Sequence, residues 1–255
     1  GLNLELLPVF VVVPVALVAS YWDLCRGRII PDWLTLPSIF GGILFHAFLG
    51  LVRGDLTLAC FGGIGALLSF GIAYLLWLTG GWAGGDVKLF TAFGAWVPSY
   101  SPPHSLFLGY PLFPLTILFN SALLSLPAIC IFAMIQKLRG RGAFYEEVKI
   151  TELSEGDIPA ELIYLSGEEV RRERPSMLVR GKWDKLLAHP RRAAGLTQEQ
   201  VRELKSLVEK GKLENKIRIK KGIPFGPFLA AGLLWGLALG DLYSLLLSLL
   251  LGWPR

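Results

Sequence analysis

Two aspartates, Asp23 and Asp86, stand where long apolar stretches meet polar chain. The first lies in Tyr21-Trp22-Asp23-Leu24-Cys25-Arg26-Gly27-Arg28-Ile29-Ile30-Pro31-Asp32, and the second in Gly80-Gly81-Trp82-Ala83-Gly84-Gly85-Asp86-Val87-Lys88. A carboxylate at a membrane edge is costly to hold in a low dielectric, so its presence there points to a task. Two of them suit hydrolysis. One carboxylate takes a proton from water as the water attacks a carbonyl, while the protonated partner donates a hydrogen bond to the carbonyl oxygen. Like charges held close cannot both ionise, which poises such a pair to work near neutral pH. Two plainer readings stay open at this point. A lone Asp at a helix end serves as a cap, and a pair of membrane-edge acids among Gly/Pro breaks suits cation or proton coupling in a transporter.

Other chemistries find little in the chain. His46, His104 and His189 are far apart in sequence and none sits in a His-Glu-x-x-His pattern, so no metal ligand set is read; each is expected at an interface or in a loop. Cys25, Cys60 and Cys130 form no C-x-x-C; the last two are expected to pack as small residues inside apolar helices, and Cys25 is a candidate for lipidation. No Gly-x-Ser-x-Gly elbow occurs. Carboxylates remain, and no cofactor is expected.

The elements that must position them are transmembrane helices. Of 255 residues, 53% are hydrophobic and only 18% charged, and the mean hydropathy is +0.53, far too apolar for a water-soluble chain of this length. Hydropathy gives six helices, at about 6–20, 34–52, 56–79, 87–97, 112–135 and 224–251. The fourth is short, ending at Pro98-Ser99-Tyr100-Ser101-Pro102-Pro103, and either spans as it stands or continues through Leu106 to Leu108. The first is read as retained rather than as a cleaved signal, since no basic segment precedes it. Of the 25 Lys and Arg, 20 fall between Lys137 and Lys221, and Arg26, Arg28 and Lys88 follow the first and third helices. The positive-inside rule then puts Asp23, Asp86 and the segment 138–222 at the cytoplasmic face of the cell membrane, a topology that six crossings satisfy.

The expected domains are 1–137 with five helices and both aspartates, a cytoplasmic inset 138–222, and a sixth helix in 223–255. The inset reads as a small α+β fold. Thr197 with Gln200 makes a capping box, and Val201, Leu204, Leu207 and Val208 line one face of the helix that follows. Lys216 to Lys220 alternates strictly and Glu146 to Ile150 more weakly, so both read as strands. With 20 basic and 14 acidic side chains between Lys137 and Lys221, this segment suits anionic lipid headgroups, or is a solvated loop whose charge only sets topology. No nucleic-acid module accompanies the charge.

Three blocks carry a resemblance. Tyr21-x-Asp23 with Arg28-x-Ile30-Pro31-Asp32, then Gly84-Gly85-Asp86-Val87-Lys88-Leu89-Phe90 with Gly94-Ala95-Trp96, and last Lys221-Gly222-Ile223-Pro224-Phe225-Gly226-Pro227-Phe228-Leu229, resemble the prepilin and preflagellin peptidases in the family's own order. The resemblance implies an intramembrane aspartyl protease that removes the short basic leader of type IV pilin-like or flagellin precursors, with Asp23 and Asp86 catalytic. It makes Gly84, Gly85, Lys88, Pro224, Phe225, Gly226 and Pro227 candidates for substrate binding. Lys88 could instead snorkel to the interface, and residues 223–227 could simply start the sixth helix. The family's usual Gly-x-Gly-Asp is here Ala83-Gly84-Gly85-Asp86. The absence of paired C-x-x-C motifs and the late inset look more like archaeal members without a methyltransferase activity.

Overall fold

The structure, a computed structural model, describes residues 6–26, 30–79, 81–101, 112–139, 145–167, 169–173, 183–190, 195–220 and 223–252. Arg28, the Pro102-Pro103 break with its continuation through Leu108, His104, and Lys221-Gly222 lie outside the described residues. The chain divides into two compact units, one of Gly1–Trp77, Gly84–Cys130 and Pro224–Arg255, the other of Leu78–Ala83 and Ile131–Ile223.

The first unit is helical: α1 (Leu7–Cys25), α2 (Asp32–Arg53), α3 (Leu56–Leu78), α4 (Gly84–Trp96), α5 (Phe113–Leu138), and, resuming late in the chain, α7 (Gly226–Leu239) and α8 (Leu242–Leu251). Large apolar side chains such as Phe10, Phe40, Phe48 and Leu67 stay exposed, while small residues fill the contacts. A Cβ on Gly42 would lie 2.7 Å from the Ala95 backbone, and one on Gly65 would lie 2.1 Å from the Gly94 carbonyl oxygen. Helices in lipid gain nothing from burying leucine against leucine, so they associate where small residues let backbones approach.

Among the described residues four helices, α1, α2, α3 and α5, are long and apolar enough to cross a membrane, and the α7–α8 pair makes a fifth if its two pieces form one span. Two differences from the sequence reading follow. First, α4 has 13 residues, a rise of about 20 Å at 1.5 Å per residue. From Asp86 to Trp96 only Lys88 is not buried, because α4 packs between α2, α1 and α7. Second, the expected single helix over 224–251 is broken, bent by 67° between α7 and α8. Gly240 takes a positive φ of 81° there, and Asp241 caps α8 by accepting the Ser244 N–H at 3.0 Å. Asn120 of α5 satisfies the backbone groups freed by the break, donating to the Gly240 carbonyl at 2.9 Å and accepting from the Leu242 N–H at 2.8 Å.

Three side chains also depart from expectation. Cys60 and Cys130 are exposed rather than packed, consistent with their lying on outward helix faces. His46 is buried within α2 instead of lying at an interface, its Nδ1 bonded to the Gly42 carbonyl at 2.9 Å.

The second unit is an α+β fold. Strand β1 (Tyr145–Val148) pairs antiparallel with β5 (Ile217–Lys220), and β2 (Leu162–Ser166) lies between β3 (Glu169–Glu173) and β4 (Lys185–Ala188), also antiparallel. Ile150 leaves the expected strand and opens a short 3-10 turn. Helix α6 (Gln198–Glu209) begins at the capping box: the Gln200 N–H donates to Thr197 Oγ1, and Gln200 Oε1 accepts from the Thr197 N–H. Its Val201, Leu204 and Leu207 enter a core with Ile163, Leu187 and Ile217.

Candidate active site

Asp23 sits inside α1, two residues from its end, and not in the loop that the hydropathy boundary implied. It is 5% exposed. Polarity ends the apolar run at Ser20, but the backbone continues as helix through Trp22-Asp23-Leu24-Cys25, since nothing there breaks it. Asp86 is 4% exposed and occupies the first turn of α4, where the positive end of the helix dipole favours an acid. Both aspartates are therefore buried and on helices that pack against one another.

The third block meets the first. The Gly226 N–H, at the start of α7, donates to Asp23 Oδ2 at 2.9 Å. A Cβ on Gly226 would stand 2.9 Å from that same oxygen and 3.3 Å from Asp23 Cβ, so only glycine brings this amide so close. Phe225 precedes the helix, Pro227 occupies its first turn where a missing N–H costs nothing, and Pro224 is half-buried. Both readings of residues 223–227 are thus realised: the segment starts a helix, and it borders Asp23.

The second block meets the first as well. A Cβ on Gly85 would lie 3.1 Å from Ile30 Cβ, and Lys88 Nζ bonds Asp32 Oδ1 at 2.5 Å. Lys88 is accordingly paired rather than snorkelling. Asp32 has no role of its own in the sequence reading, because its partner Lys88 stands 56 positions away and no local pattern joins the two. These contacts bring the starts of α2 and α4 together, and the end of α1 is joined to α2 by six residues. Gly84 differs: it is exposed, and nothing lies within 4 Å of where its Cβ would be. Trp22, next to Asp23 in sequence, meets Trp33 edge to face at 6.2 Å, with the Arg26 guanidinium 5.5 Å from the Trp22 ring centre.

The acids of the second unit have structural tasks. Asp157 Oδ2 accepts the Ser154 N–H at 2.8 Å and Asp184 Oδ2 accepts the Gly167 N–H at 2.6 Å, each closing a turn. Of its arginines, Arg172 is held by Glu161 at 2.9 Å and by the Lys216 carbonyl at 2.7 Å, while Arg171 lies 3.7 Å from Glu169.

Several apolar helices bundled around buried acids define a multi-pass helical membrane protein. Two family models match successive stretches of the chain: the type IV leader peptidase family over residues 10–130, and the archaeal peptidase A24 C-terminal domain over residues 123–219. The chain belongs to the type IV leader peptidase family, in the form that carries the archaeal C-terminal domain, and is a peptidase. It is 26% identical to the prepilin peptidase EppA of Methanothermobacter thermautotrophicus over 96% of this chain and 97% of that protein. It is 36% identical to the prepilin leader peptidase/N-methyltransferase of Aeromonas hydrophila, and equally to that of Aeromonas salmonicida, over 42% of this chain but only 33% of theirs. All three blocks meet in the helical unit, the first two inside the stretch that matches the peptidase family.

Proposed function

We propose that Asp23 and Asp86 are the acid and base of an intramembrane aspartyl endopeptidase that removes the basic leader from type IV pilin-like or flagellin precursors at the cytoplasmic boundary of the membrane. The observation that carries this reading is the burial of two acids from separate blocks at one end of one helical unit, with Gly226 fixing the first. In the working state both carboxylates must reach one water, at roughly 3 Å from its oxygen. The ionised carboxylate removes a proton from that water as it attacks the scissile carbonyl. The protonated partner hydrogen-bonds the carbonyl oxygen and stabilises the charge that develops there, and it then supplies the proton that the leaving amine needs. Gly84 at the start of α4 leaves open room for an extended backbone, and the Lys88–Asp32 pair holds the α4 start against α2 while substrate enters.

Topology supports the same reading. Counting α4 and the α7–α8 pair with the four long helices gives six crossings. The short α4 is then shielded by protein and not by lipid, which is why 13 residues suffice. With Arg26, Arg28 and Lys88 near the aspartates in sequence, the positive-inside rule favours a cytoplasmic end for them, and with α4 counted the fifth crossing returns the chain to that side for residues 138–222. The basic surface of that inset would face anionic headgroups.

The test is to reconstitute the purified protein in vesicles with a pilin-like precursor and determine the product by mass spectrometry. A single cut before the precursor's apolar helix supports the proposal. An intact precursor under conditions where the protein is folded, or proton or sodium flux through the vesicles in its place, returns the acids to a transport role.

A further inference from the structure

Beside the proposed dyad stands a third acid that the mechanism does not use. Of the seven aspartates, Asp55, Asp157, Asp184 and Asp241 each accept a backbone N–H and so cap a helix or close a turn. Asp32 does not. It follows Pro31, the N-cap of α2, and among the described residues its carboxylate takes only Lys88, which sits on Oδ1 and leaves Oδ2 open. The helix dipole favours an acid in that first turn but does not require one. The Asp32 and Lys88 side chains are 60% and 39% exposed, and an ion pair so open to solvent adds little to stability.

The position of Asp32 accounts for it better than stability does. Ile30, two residues before it, meets Gly85, and Lys88 follows Asp86 by two residues on α4. Two residues of helix and one lysine side chain therefore link Asp86 to the Asp32 carboxylate, which lies within about 10 Å of the Asp86 backbone, the length of about three residues of extended chain. Gly84, the open position at the start of α4, belongs to the same turn as Asp86. An ionised carboxylate has acceptor sites for more than one donor, so a second cation can join Oδ2 while Lys88 keeps Oδ1.

We propose that Asp32 is a specificity-determining residue: its Oδ2 accepts the ammonium or guanidinium of one Lys or Arg lying within about three residues of the scissile bond on the leader side. The proposal rests on the endopeptidase reading above, in which the other side of the cut is the precursor's apolar helix and offers no charge to pair. A purely structural Asp32 would support the cleavage of every precursor equally, whereas a selecting one separates them by charge.

The test uses the full-length protein in vesicles and pilin-like precursors that differ only in the third residue before the cut, Lys, Gln or Glu, in a leader otherwise without charge. The wild type should cleave the Lys precursor with a kcat/KM about five-fold above that of the Gln precursor, the upper end for a partly exposed ion pair, and the difference should lie in KM. Asp32→Asn should bring that ratio close to one, and Asp32→Lys should turn the preference towards Glu. Moving the single Lys to eight residues before the cut should remove the preference in the wild type, which decides the matter even if neither variant folds. Equal cleavage of Lys and Gln precursors by the wild type, an unchanged ratio in folded Asp32→Asn, a loss of the same size on all three precursors, or a preference kept by the distant Lys would each overturn the assignment. Failure of the wild type to cut any precursor is a separate result, which overturns the endopeptidase reading and this selection with it.

Discussion

The two units of this protein solve opposite packing problems. In the inset, apolar side chains go inside: Leu204, Ile163, Leu187 and Ile217 are buried, and the charged residues of β3 and α6 lie outside. In the helical unit the order is reversed, with Gly42, Gly65, Ala16 and Ser69 at the contacts and Phe48, Leu67 and Leu75 outward. Water drives the first arrangement through the hydrophobic effect. Lipid cannot drive the second, so close backbone approach takes over. The acids differ in the same way: in the inset Asp157 and Asp184 sit on turns in contact with solvent, whereas Asp23 and Asp86 are buried, where a carboxylate is costly to hold.

The largest expected effect separates those two sets of acids. Asp23→Asn and Asp86→Asn should each lower precursor cleavage by about 10²–10⁴-fold or more, because either change removes a proton-transfer group. Asp157→Ala and Asp184→Ala should stay within a few fold. Comparable cleavage by Asp23→Asn at equal folded protein would take that residue out of the mechanism, and loss of cleavage in the inset variants would move part of the site there.

Next in size is a contrast between two glycines. Gly226→Ala forces a methyl group to within 2.9 Å of Asp23 Oδ2, and on the proposed mechanism that displacement should cost on the order of 10²-fold in kcat. Gly84→Ala meets open space and should change kcat only a few fold, although Gly84 belongs to the more recognisable motif. Steady-state cleavage of one precursor by both variants settles the order, and equal losses would show that Gly84 touches substrate.

Adding and removing methyl groups should then act in opposite ways on the two units. Gly65→Ala places a carbon 2.1 Å from the Gly94 carbonyl oxygen and should separate α3 from α4, lowering the thermal stability of the whole protein. Leu204→Ala opens a cavity in the inset core at a cost of about 2–5 kcal/mol. Hydrogen exchange on the intact protein should show the second change as lost protection in α6 and β4 alone. Spread of that loss into α1 or α4 would mean that the units unfold together.

The same contrast explains what was legible in the sequence. Thr197 and Gln200 announced α6 because capping is local, and the alternation in 216–220 announced β5 for the same reason. The pairing of β5 with β1 is not local, and the three-stranded sheet around β2 was missed although Leu162-Ile163-Tyr164-Leu165 before Gly167 is a strand-and-turn pattern. In the membrane part, hydropathy found the helices but misplaced their ends, since it registers where apolar residues stop and not where backbone hydrogen bonding stops. Hydropathy therefore puts Asp23 and Asp86 at helix edges, and both lie within helices. The α7–α8 break was written as Gly240-Asp241 with Ser244 three residues after the aspartate, a capping pattern hidden in an apolar run. Gly226 could be singled out in sequence, but its hydrogen bond to Asp23 joins positions 203 apart and needs the fold.

The smallest expected effect concerns the charged rim of the inset. Glu147 and Lys216 form an ion pair at 2.5 Å between β1 and β5. The hydrogen bond from Lys216 holds the Glu147 carboxyl below its ordinary 4.5, and the same bond raises Lys216 above 10.5. A depressed carboxylate contributes stability that is present above its unfolded pKa and is lost as pH falls through the lower folded value; a raised ammonium contributes stability below its unfolded pKa that is lost as pH climbs through the higher folded one. Across neutral pH the pair's contribution is therefore flat, declining only below about 4.5 and above about 10.5. Both groups are exposed, so salt screens the interaction and side-chain entropy opposes it. Lys216→Gln should raise exchange of the β1 and β5 amides slightly at pH 7 in low salt, with the difference from wild type vanishing at 1 M salt and shrinking progressively as pH falls below 4.5. A difference that persists in high salt would assign the effect to packing of the Lys216 stem against β1 and not to charge.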